Sequence, residues 1–318
     1  MTANWLPTDT SLPADLAPAV PDLPRAVLAT LAYADLFDHP LTAAEAHRHL
    51  VAAHATLADV TEALDRSPRL VHRTTRWGEF FTLVGREAIV EVRLRRETSA
   101  AALWPRARRW GRVFGALPFV RMVAVTGALA VDAVEPDADI DYLVVASTGR
   151  VWLCRALVTA LARAAGAAGT RLCPNYVLSE RALALAERTL YTAHELLQMV
   201  PIAGPETCER MREANPWVRI FLPNSPGVAP PSVTPRRVGG ALARLAEAAL
   251  RGRVGDRIEA ALARWQASHL QGKLARGELS GGEAAFDADG YKGHFHGHGA
   301  RILAAWETRL RQLDGAWA

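Results

Sequence analysis

The segment from Val123 to Val145 constrains the fold most, because a glycine turn, a predicted short helix and a polar turn separate two apolar runs. The first run, FVRMVAVTG, predicts a strand that ends in a glycine turn, and the second, DIDYLVVAS, predicts another strand. A predicted helix, VWLCRALVTALARAAG, and a third predicted strand, TRLCPNYVLS, follow. Because strands alternate with helices in α/β folds, we expect a sheet between about residues 119 and 180.

The second predicted strand begins with two aspartates, Asp139 and Asp141. Side chains alternate along a strand, so both carboxylates should lie on one face, about 6–7 Å apart. Such a pair costs stability unless a cation lies between the two carboxylates, and Mg²⁺ prefers oxygen ligands. Gly127, at the end of the preceding strand, lets the backbone approach a phosphate. These residues suit a nucleoside triphosphate with Mg²⁺, and the alternative is a solvated pair that begins an ordinary strand.

The segments Thr126–Ala128 and Asp139–Asp141 together resemble the signature of the polymerase-β-like nucleotidyltransferase superfamily. The resemblance implies an α+β or α/β fold, with a mixed sheet and helices. It also implies the transfer of a nucleoside monophosphate from a triphosphate to a hydroxyl acceptor, with release of pyrophosphate. By the same resemblance Asp139 and Asp141 are the catalytic residues and bind Mg²⁺, or Mn²⁺. The residues that it assigns to the nucleotide are Thr126, Gly127, Ala128 and Asn175.

Two positions depart from the superfamily pattern. The family commonly has serine after the glycine, where this chain has Ala128, and a third carboxylate on the next strand, where this chain has Asn175. Glu180 would take that place if the third strand were shifted in register. A second hypothesis follows from these departures: a catalytically degenerate protein of the same fold that binds a nucleotide or acts as a scaffold.

Upstream of this core, three predicted helices and a β-hairpin resemble a winged-helix domain. Pro24 precedes the first helix, Thr42 and Glu45 form a predicted capping box at the second, and Thr56 begins the third. The predicted organisation is a proline-rich arm at 1–24, a winged-helix-like domain at 25–85, a linking helix at 86–118, a nucleotidyltransferase core at 119–221, a linker at 222–237 and a helical C-terminal region at 238–318.

The linking helix is rich in arginine and aromatic residues, and Pro105 should break or kink it. Its arginines are Arg93, Arg95, Arg96, Arg106, Arg108, Arg109 and Arg112. They either bind nucleic acid beside the winged helix or form a solvated face whose aromatic neighbours pack on the core. The third predicted helix carries Asp59, Glu62 and Asp65, whereas a helix that meets phosphates should be basic. A winged-helix transcription factor is therefore disfavoured.

A glycine-rich segment near the C-terminus carries three histidines at alternate positions, His294, His296 and His298. In a strand they would share one face and could hold a transition metal. Their glycine neighbours favour a loop instead. In a third hypothesis Lys292, in the same segment, reaches the triphosphate or another anion, and Lys292 is therefore also predicted to bind the nucleotide.

The pair His194-Glu195 resembles the start of a zincin helix. That motif needs a second histidine one helical turn later, where this chain has Gln198, so the metalloprotease hypothesis fails. A helical His and Glu in this position are more often structural than catalytic. Glu195 remains a residue that could orient an acceptor.

The composition is that of a folded chain with a small basic excess. Lys and Arg number 37 against 33 Asp and Glu, and a net charge of +4 does not by itself imply a nucleic-acid partner. Three widely spaced cysteines do not form a disulfide framework, and no segment offers about 20 uninterrupted apolar residues for a membrane span. We expect a cytoplasmic protein whose partners are a nucleoside triphosphate and a small-molecule or protein acceptor. Nucleic acid is a less favoured partner, and no membrane is expected.

Overall fold

The computed structural model describes residues 22–225, 239–276, 285–292 and 298–314. It is a mixed α+β structure with a three-stranded sheet near the N-terminus and a six-stranded sheet later in the chain. The strands predicted between residues 119 and 180 belong to the six-stranded sheet. None of the described helices is both long and apolar enough to cross a membrane.

The N-terminal unit combines four helices with three short strands. Its elements are α1 (Leu23–Asp35), β1 (Leu41–Thr42), α2 (Ala43–Arg48), α3 (Leu57–Arg66), α4 (Pro68–Val71), β2 (Thr74–Trp77) and β3 (Phe80–Leu83). The strands are antiparallel and ordered β1-β3-β2. The capping box predicted for Thr42 and Glu45 is confirmed, and Thr56 and Asp59 form a second one at α3. These boxes satisfy N–H groups that the first turn of each helix leaves free.

Helix α1 belongs to two hydrophobic cores at once. Val27 and Leu31 pack in the core of the N-terminal unit, while Ala29 and Tyr33 pack in a core on one face of the six-stranded sheet. Burying a side chain as large as valine or leucine contributes about 1.5–3 kcal/mol. Because its apolar residues point both ways, α1 joins the N-terminal unit to the rest of the protein.

The later elements form and surround the six-stranded sheet. They are α5 (Ile89–Gly115), β4 (Val120–Thr126), α6 (Gly127–Ala130), β5 (Ile140–Ala146), α7 (Val151–Ala167), β6 (Leu172–Ser179), α8 (Leu190–Gln198), β7 (Val200–Ala203), α9 (Pro205–Glu213), α10 (Val218–Phe221), α11 (Ala241–Ala249), α12 (Arg253–Ala275), β8 (Ala285–Phe286), β9 (Gly290–Lys292) and α13 (His298–Asp314). The strand order is β7-β4-β5-β6-β9-β8. Strands β5 and β6 are parallel, and the other described pairs in this sheet are antiparallel.

Helices cover both faces of this sheet, and alternate residues of β5 point to each face. Tyr142 is buried in the core shared with α5 and α7, and its hydroxyl donates to the carbonyl of Ala107 at 2.7 Å. Leu143 is buried in the other core, which includes residues of α1, α8 and α13. By the same alternation Asp141 lies on the Leu143 face. This face of the sheet, called the Asp141 face below, carries the candidate site.

Helix α5 continues through Pro105, so of the predicted break or kink at this proline, the break does not occur. A proline inside a helix removes a hydrogen bond and costs about 3 kcal/mol. Ala100 and Phe114, one on each side of the proline, are fully buried. Gly111 lies so close to β7 that a Cβ there would be 2.8 Å from Cγ2 of Ile202. Packing of both halves of the helix against the sheet therefore offsets the cost of the proline.

The C-terminal region, which we predicted to be helical, also supplies two strands. Strands β8 and β9 extend the sheet at its β6 edge, and β9 is antiparallel to β6. Strand β7, at the other edge, was not predicted either. Helix α8 begins at Leu190 and carries His194 and Glu195. Strands of two to four residues are too short to show a periodic pattern of their own.

Helix α13 packs against α1. The Trp306 indole is 1% exposed, and its N–H donates to the carbonyl of Ala29 at 2.9 Å. Arg309 forms an ion pair with the buried carboxylate of Asp35 at 2.5 Å, and Arg86 pairs with the same carboxylate at 2.7 Å. The C-terminal helix is therefore fixed to the N-terminal unit.

Candidate functional site

The glycine turn lies at the end of β4, directly beside β5. Thr126 is opposite Asp141 in the antiparallel register. Gly127 has a φ of +65°, a backbone conformation that L side chains rarely adopt. A Cβ at Gly127 would also be 2.7 Å from Oδ2 of Asp141. The backbone conformation and the close approach both require glycine at this position, and Ala128 follows it in α6.

Asp141 is partly buried, and no cation of the described residues contacts it. Burial raises its pKa to about 6, a hydrogen bond from Asn175 opposes that rise, and the charge of Asp139 adds to it. The Asn175 amide donates to Oδ1 of Asp141 at 2.5 Å. The Cys173 thiol in turn donates to Oδ1 of Asn175 at 2.8 Å. Strand β6 thus places Asn175 beside the second aspartate, as the predicted register of the third strand requires.

Asp139 precedes β5, and its side chain is 50% exposed. Its Oδ1 lies 2.8 Å from Nε of Arg171, which is also exposed. An exposed ion pair of this kind contributes at most about 1 kcal/mol, so a divalent cation can displace Arg171 at little cost. The charge of Asp139 raises the pKa of Asp141, so the two carboxylates interact electrostatically.

The oxygen donors at this site fit a hard divalent cation. Asp139 and Asp141 supply carboxylates, and Thr126, opposite Asp141 in the sheet, supplies a hydroxyl. Asn175 can add its amide oxygen if the amide group turns over. In the part of the chain that the structure describes, no three His, Cys, Asp or Glu side chains form a group that could hold a metal. A cation here would therefore need neutral oxygens, water and phosphate to complete its coordination.

A cavity of about 850 Å³ opens at the glycine turn and is called the large cavity below. Its size is within the usual range of small-molecule sites, about 300–1,000 Å³. Thr126, Gly127, Ala128 and Asp141 form one wall. The other walls come from α1, α2, α5, α8 and α13. The N-terminal unit and the C-terminal helix thus enclose the space beside the predicted motif.

Four arginines line the large cavity, and they differ in their partners. Arg93 and Arg96 form ion pairs with glutamates at 2.7 Å. Arg48 of α2 and Arg301 of α13 are exposed and form no ion pair with any residue that the structure describes. Arg93 and Arg96, which belong to the arginine series of the linking helix, are therefore paired with glutamates of the protein, whereas Arg48 and Arg301 are available to bind an anion.

Three of the aromatic rings that line the same cavity, those of Tyr33, His49 and His194, lie close together. His194 stacks on Tyr33 with ring centroids 4.3 Å apart, and the His49 ring lies 5.4 Å from that of His194. Burial and the nearby charge of Arg48 lower the pKa of His49 to about 4, and burial lowers the pKa of His194 well below 6.5. Both imidazoles are therefore neutral at pH 7. Nδ1 of His49 and Nε2 of His194 have no hydrogen-bond partner among the described residues.

A second cavity, of about 310 Å³, adjoins the first and is called the small cavity below. Thr126, Tyr191 and Glu195 line both cavities. The small cavity is also lined by Leu143 and Leu178, which do not line the large cavity. These two residues place the small cavity on the Asp141 face of the sheet. Glu195, which we predicted could orient an acceptor, therefore lies between the two spaces.

The predicted residues of the glycine-rich segment are only partly described. Lys292 ends β9, where its backbone pairs with Tyr176 of β6. His294 and His296 lie outside the described residues. His298 begins α13, is exposed and lines the large cavity. Nucleotide binding by Lys292 stays a prediction.

Glu180, the alternative to Asn175, does not reach the aspartates. It follows β6, accepts a hydrogen bond from the backbone of Thr148 at 3.4 Å and lies 3.6 Å from Arg210. Asn175 is therefore the residue of the third strand that contacts Asp141.

Several residues of the large cavity are distant from the motif in sequence, and no local pattern predicted them. They are Tyr33, His49, Arg48 and Arg301. Only the packing of α1, α2 and α13 around the sheet brings them to the glycine turn. No protein-family model, curated protein or solved structure matches this chain. What the site can do therefore follows from its own geometry.

Proposed function

We propose that this protein is a Mg²⁺-dependent nucleotidyltransferase of the polymerase-β-like superfamily. The main support is the packing of the Gly127 turn against Asp141, with Asn175 hydrogen-bonded to the same carboxylate. A phosphate can approach the backbone closely where no Cβ intervenes, and neighbouring carboxylates supply the charge that a divalent cation needs. Both features meet at the opening of the large cavity.

The order of the secondary-structure elements supports the same proposal. β4, the glycine turn, β5 and β6 follow one another as the superfamily signature implies, within a mixed sheet. The N-terminal unit has three main helices and strands ordered β1-β3-β2, and we assign it as a winged helix. Its helices α1 and α2 line the large cavity. In this proposal the winged helix therefore completes the nucleotide site rather than binding DNA.

Each group at the site has a distinct role in this proposal. Asp139 and Asp141 hold Mg²⁺, or Mn²⁺, whose chemistry when bound is to neutralise charge on the triphosphate oxygens. The backbone of Thr126–Ala128 lies along the phosphates. Arg48 of α2 and Arg301 of α13 supply positive charge from the lining of the large cavity.

The transfer itself needs a hydroxyl placed in line with the leaving group. The hydroxyl oxygen forms a bond to the α-phosphorus, while the bond from that phosphorus to the oxygen bridging to the β-phosphate breaks. Pyrophosphate leaves with the electron pair of the broken bond. One of the two aspartates accepts the hydroxyl proton. The substrate that provides the hydroxyl is a small molecule or a protein, because the described residues supply too few exposed cations near the site for a long polynucleotide.

A second candidate function is a nucleotide-binding scaffold of the same fold without catalysis. Asn175 supports it, because a neutral amide stands where the superfamily has a third carboxylate and donates a hydrogen bond to Asp141. Ala128 supports it as well, because it has no hydroxyl to offer a phosphate. The two candidates agree on nucleotide binding and differ only in turnover.

Calorimetric titration of each nucleoside triphosphate, with and without Mg²⁺, tests the proposal. We expect binding that depends on Mg²⁺ and that falls at least about tenfold in Asp141→Asn, since a metal-binding carboxylate is lost while its shape is kept. Asn175→Asp should tighten binding, because it restores a third carboxylate. Asp65→Asn is the control, because Asp65 forms an ion pair in the N-terminal unit that is remote from the motif in sequence.

The outcomes separate the candidates. Mg²⁺-dependent binding together with pyrophosphate release supports the transferase. The same binding without pyrophosphate release for any acceptor supports the scaffold. If the wild type binds no nucleoside triphosphate, or if Asp141→Asn and Asp65→Asn behave alike, both candidates are wrong.

A further inference from the structure

The outer face of α12 carries a row of apolar side chains that are exposed to solvent. Val254, Ile258 and Trp265 are 59%, 36% and 61% exposed, and Ala261 between them is exposed as well. Successive residues of the row are three or four positions apart, so all four lie on one side of the helix. Apolar surface of this kind is stabilised when a partner removes it from water.

A row of arginines lies beside this apolar row. Arg253, Arg257 and Arg264 each directly precede one of its three large residues in the sequence, and all three arginines are exposed. None of them forms an ion pair with a residue that the structure describes. Arg257 and Arg264 are two turns apart along the helix, so they flank the apolar row on the same side.

The acidic residues of α12 are bound to the body of the protein. The helix contains two of them, Asp256 and Glu259. Asp256 forms an ion pair with Arg150 at 2.8 Å, and Glu259 accepts the backbone N–H groups of Trp152 and Leu153 at 2.8 Å. Both carboxylates are therefore engaged at the beginning of α7. The unpaired charges that the described side chains of α12 present to solvent are positive.

Another side of α12 attaches the helix to the protein. Leu270 is 4% exposed, and Leu262 packs with it in the core that α5 and α7 share. Gln266 is 3% exposed, and its Nε2 donates to the carbonyl of Trp152 at 2.9 Å. These contacts fix the helix, so the outer row is presented on a rigid element without contributing to the protein's own core.

The width of the apolar row indicates what covers it. At about 100° per residue its four members fall within a sector about 60° wide. A helix that lies on a lipid surface needs a broad apolar face, whereas the seam between two paired helices is narrow. Charged residues beside such a seam select the partner helix. The row on α12 therefore fits a helix better than it fits a membrane.

A second copy of α12 is unsuited to this seam. It would bring the same arginines to the interface, and its two carboxylates are already engaged in its own chain. Like charges placed across a seam repel each other. A helix with carboxylates beside its apolar residues would instead form ion pairs with Arg257 and Arg264.

We propose that the outer face of α12 docks an amphipathic helix of another protein, one that carries glutamate or aspartate beside its apolar row. Trp265 is the anchor, because large aromatic side chains dominate the energetics of such interfaces. α12 packs in the core on the sheet face opposite the Asp141 face, so the docked helix leaves the candidate site open. The proposal concerns a partner of the protein and does not depend on the proposed nucleotidyltransferase activity.

Two labelled peptides of about 20 residues test the proposal. Both have leucine at the seam positions of three heptads, and the flanking positions are glutamate in one peptide and lysine in the other. Fluorescence anisotropy measures their binding to the full chain. We expect the glutamate peptide to bind at least about tenfold more tightly than the lysine peptide at low salt. The difference should shrink as the salt concentration rises, because salt screens exposed charges.

Two variants of α12 locate the binding, and α10 offers a matched control for each. Arg264→Glu should reverse the preference between the peptides, and Trp265→Ser should weaken both peptides at least about tenfold. Arg219 and Ile220 of α10 repeat the same order of an exposed arginine and an apolar residue, and Ile220 is 61% exposed, as Trp265 is. The buried residues of α10 pack on the Asp141 face, so Arg219→Glu and Ile220→Ser should change neither peptide's binding.

The outcomes that overturn the proposal are distinct. Equal binding of the two peptides to the wild type overturns it, and this comparison needs no variant. Equal effects of the α12 and α10 variants, with circular dichroism showing that they fold, overturn it as well. If Trp265→Ser instead abolishes binding to phosphatidylglycerol vesicles, or abolishes a dimer seen by analytical ultracentrifugation, the face belongs to a lipid surface or to a second copy and the proposal is wrong.

Discussion

The ion pair between Glu45 and Arg93 connects the N-terminal unit to α5, and Glu45→Gln removes its negative charge. The guanidinium donates to both carboxylate oxygens at 2.7 Å, and Glu45 also accepts the backbone N–H of its N-cap residue, Thr42. A glutamine keeps one oxygen for the cap but turns an N–H₂ group toward Arg93. The substitution therefore isolates the charge of the pair while preserving much of the capping box.

The pKa of Glu45 gives the size of the expected effect. Burial would raise the pKa, but the hydrogen bonds and charge of Arg93, with the Thr42 N–H, lower it from 4.5 to about 2. A shift of that size corresponds to about 3 kcal/mol of folding free energy. Because the folded-state pKa is the lower one, this stabilisation is present above about pH 4.5 and is lost as the pH falls toward 2.

Urea unfolding of the wild type and of Glu45→Gln between pH 2.5 and pH 7 measures this stabilisation and its dependence on pH. We expect the variant to be about 3 kcal/mol less stable at pH 7 and the difference to shrink steadily below pH 4.5. The charge of Glu45 raises the pKa values of the buried His39 and His49, so the titration of these histidines also contributes to the difference between the two proteins. Glu62→Gln, at an exposed ion pair with Arg66, should change little at any pH. A difference that stays constant with pH, or one below about 0.5 kcal/mol at pH 7, would refute the reasoning.

Two further substitutions test the glycine turn and the long helix. Gly127→Ala should cost about 1–2 kcal/mol for the left-handed backbone, and it should abolish Mg²⁺-dependent nucleotide binding because its Cβ would displace the Asp141 carboxylate. In Gly149→Ala the backbone is similarly strained but the Cβ meets no neighbour, so calorimetry should show stability lost and binding retained. Pro105→Ala should raise the free energy of unfolding by about 2 kcal/mol. Removing proline from a helix interior stabilises the folded state by about 3 kcal/mol, and the greater entropy of the unfolded chain offsets up to about 1 kcal/mol of that. Unfolding in urea decides this, and an unchanged or lower stability would contradict it.

Local chemistry made the central part of the fold predictable. β4, β5 and β6 each carry an uninterrupted apolar run, and α2 and α3 begin at threonine caps, so neighbouring residues alone indicate these elements. The contact between Asn175 and Asp141 followed from the same strands, because the register of two adjacent strands determines which side chains meet.

Other features depend on contacts between residues that are distant in sequence. α5 continues through Pro105 because Phe114 and Ala100 pack against the sheet, whereas the helix sequence alone left open whether its aromatic residues pack on the core. Tyr33 of α1 likewise stacks on His194 of α8, and both side chains line the large cavity. In the sequence one of these helices precedes the glycine turn and the other follows it. Periodicity and motif spacing carry no information about such pairs.

The contact of α13 with α1 has a consequence for how the chain opens. Trp306 and Arg309 hold α1 from the far end of the sequence, and both helices contribute walls to the large cavity. Local opening of either helix would disrupt the other and remove part of the cavity at the same time. A ligand in the cavity should therefore slow amide hydrogen exchange in α1 and α13 together. The two ends of the chain would then report occupancy of a site whose motif lies in the middle of it.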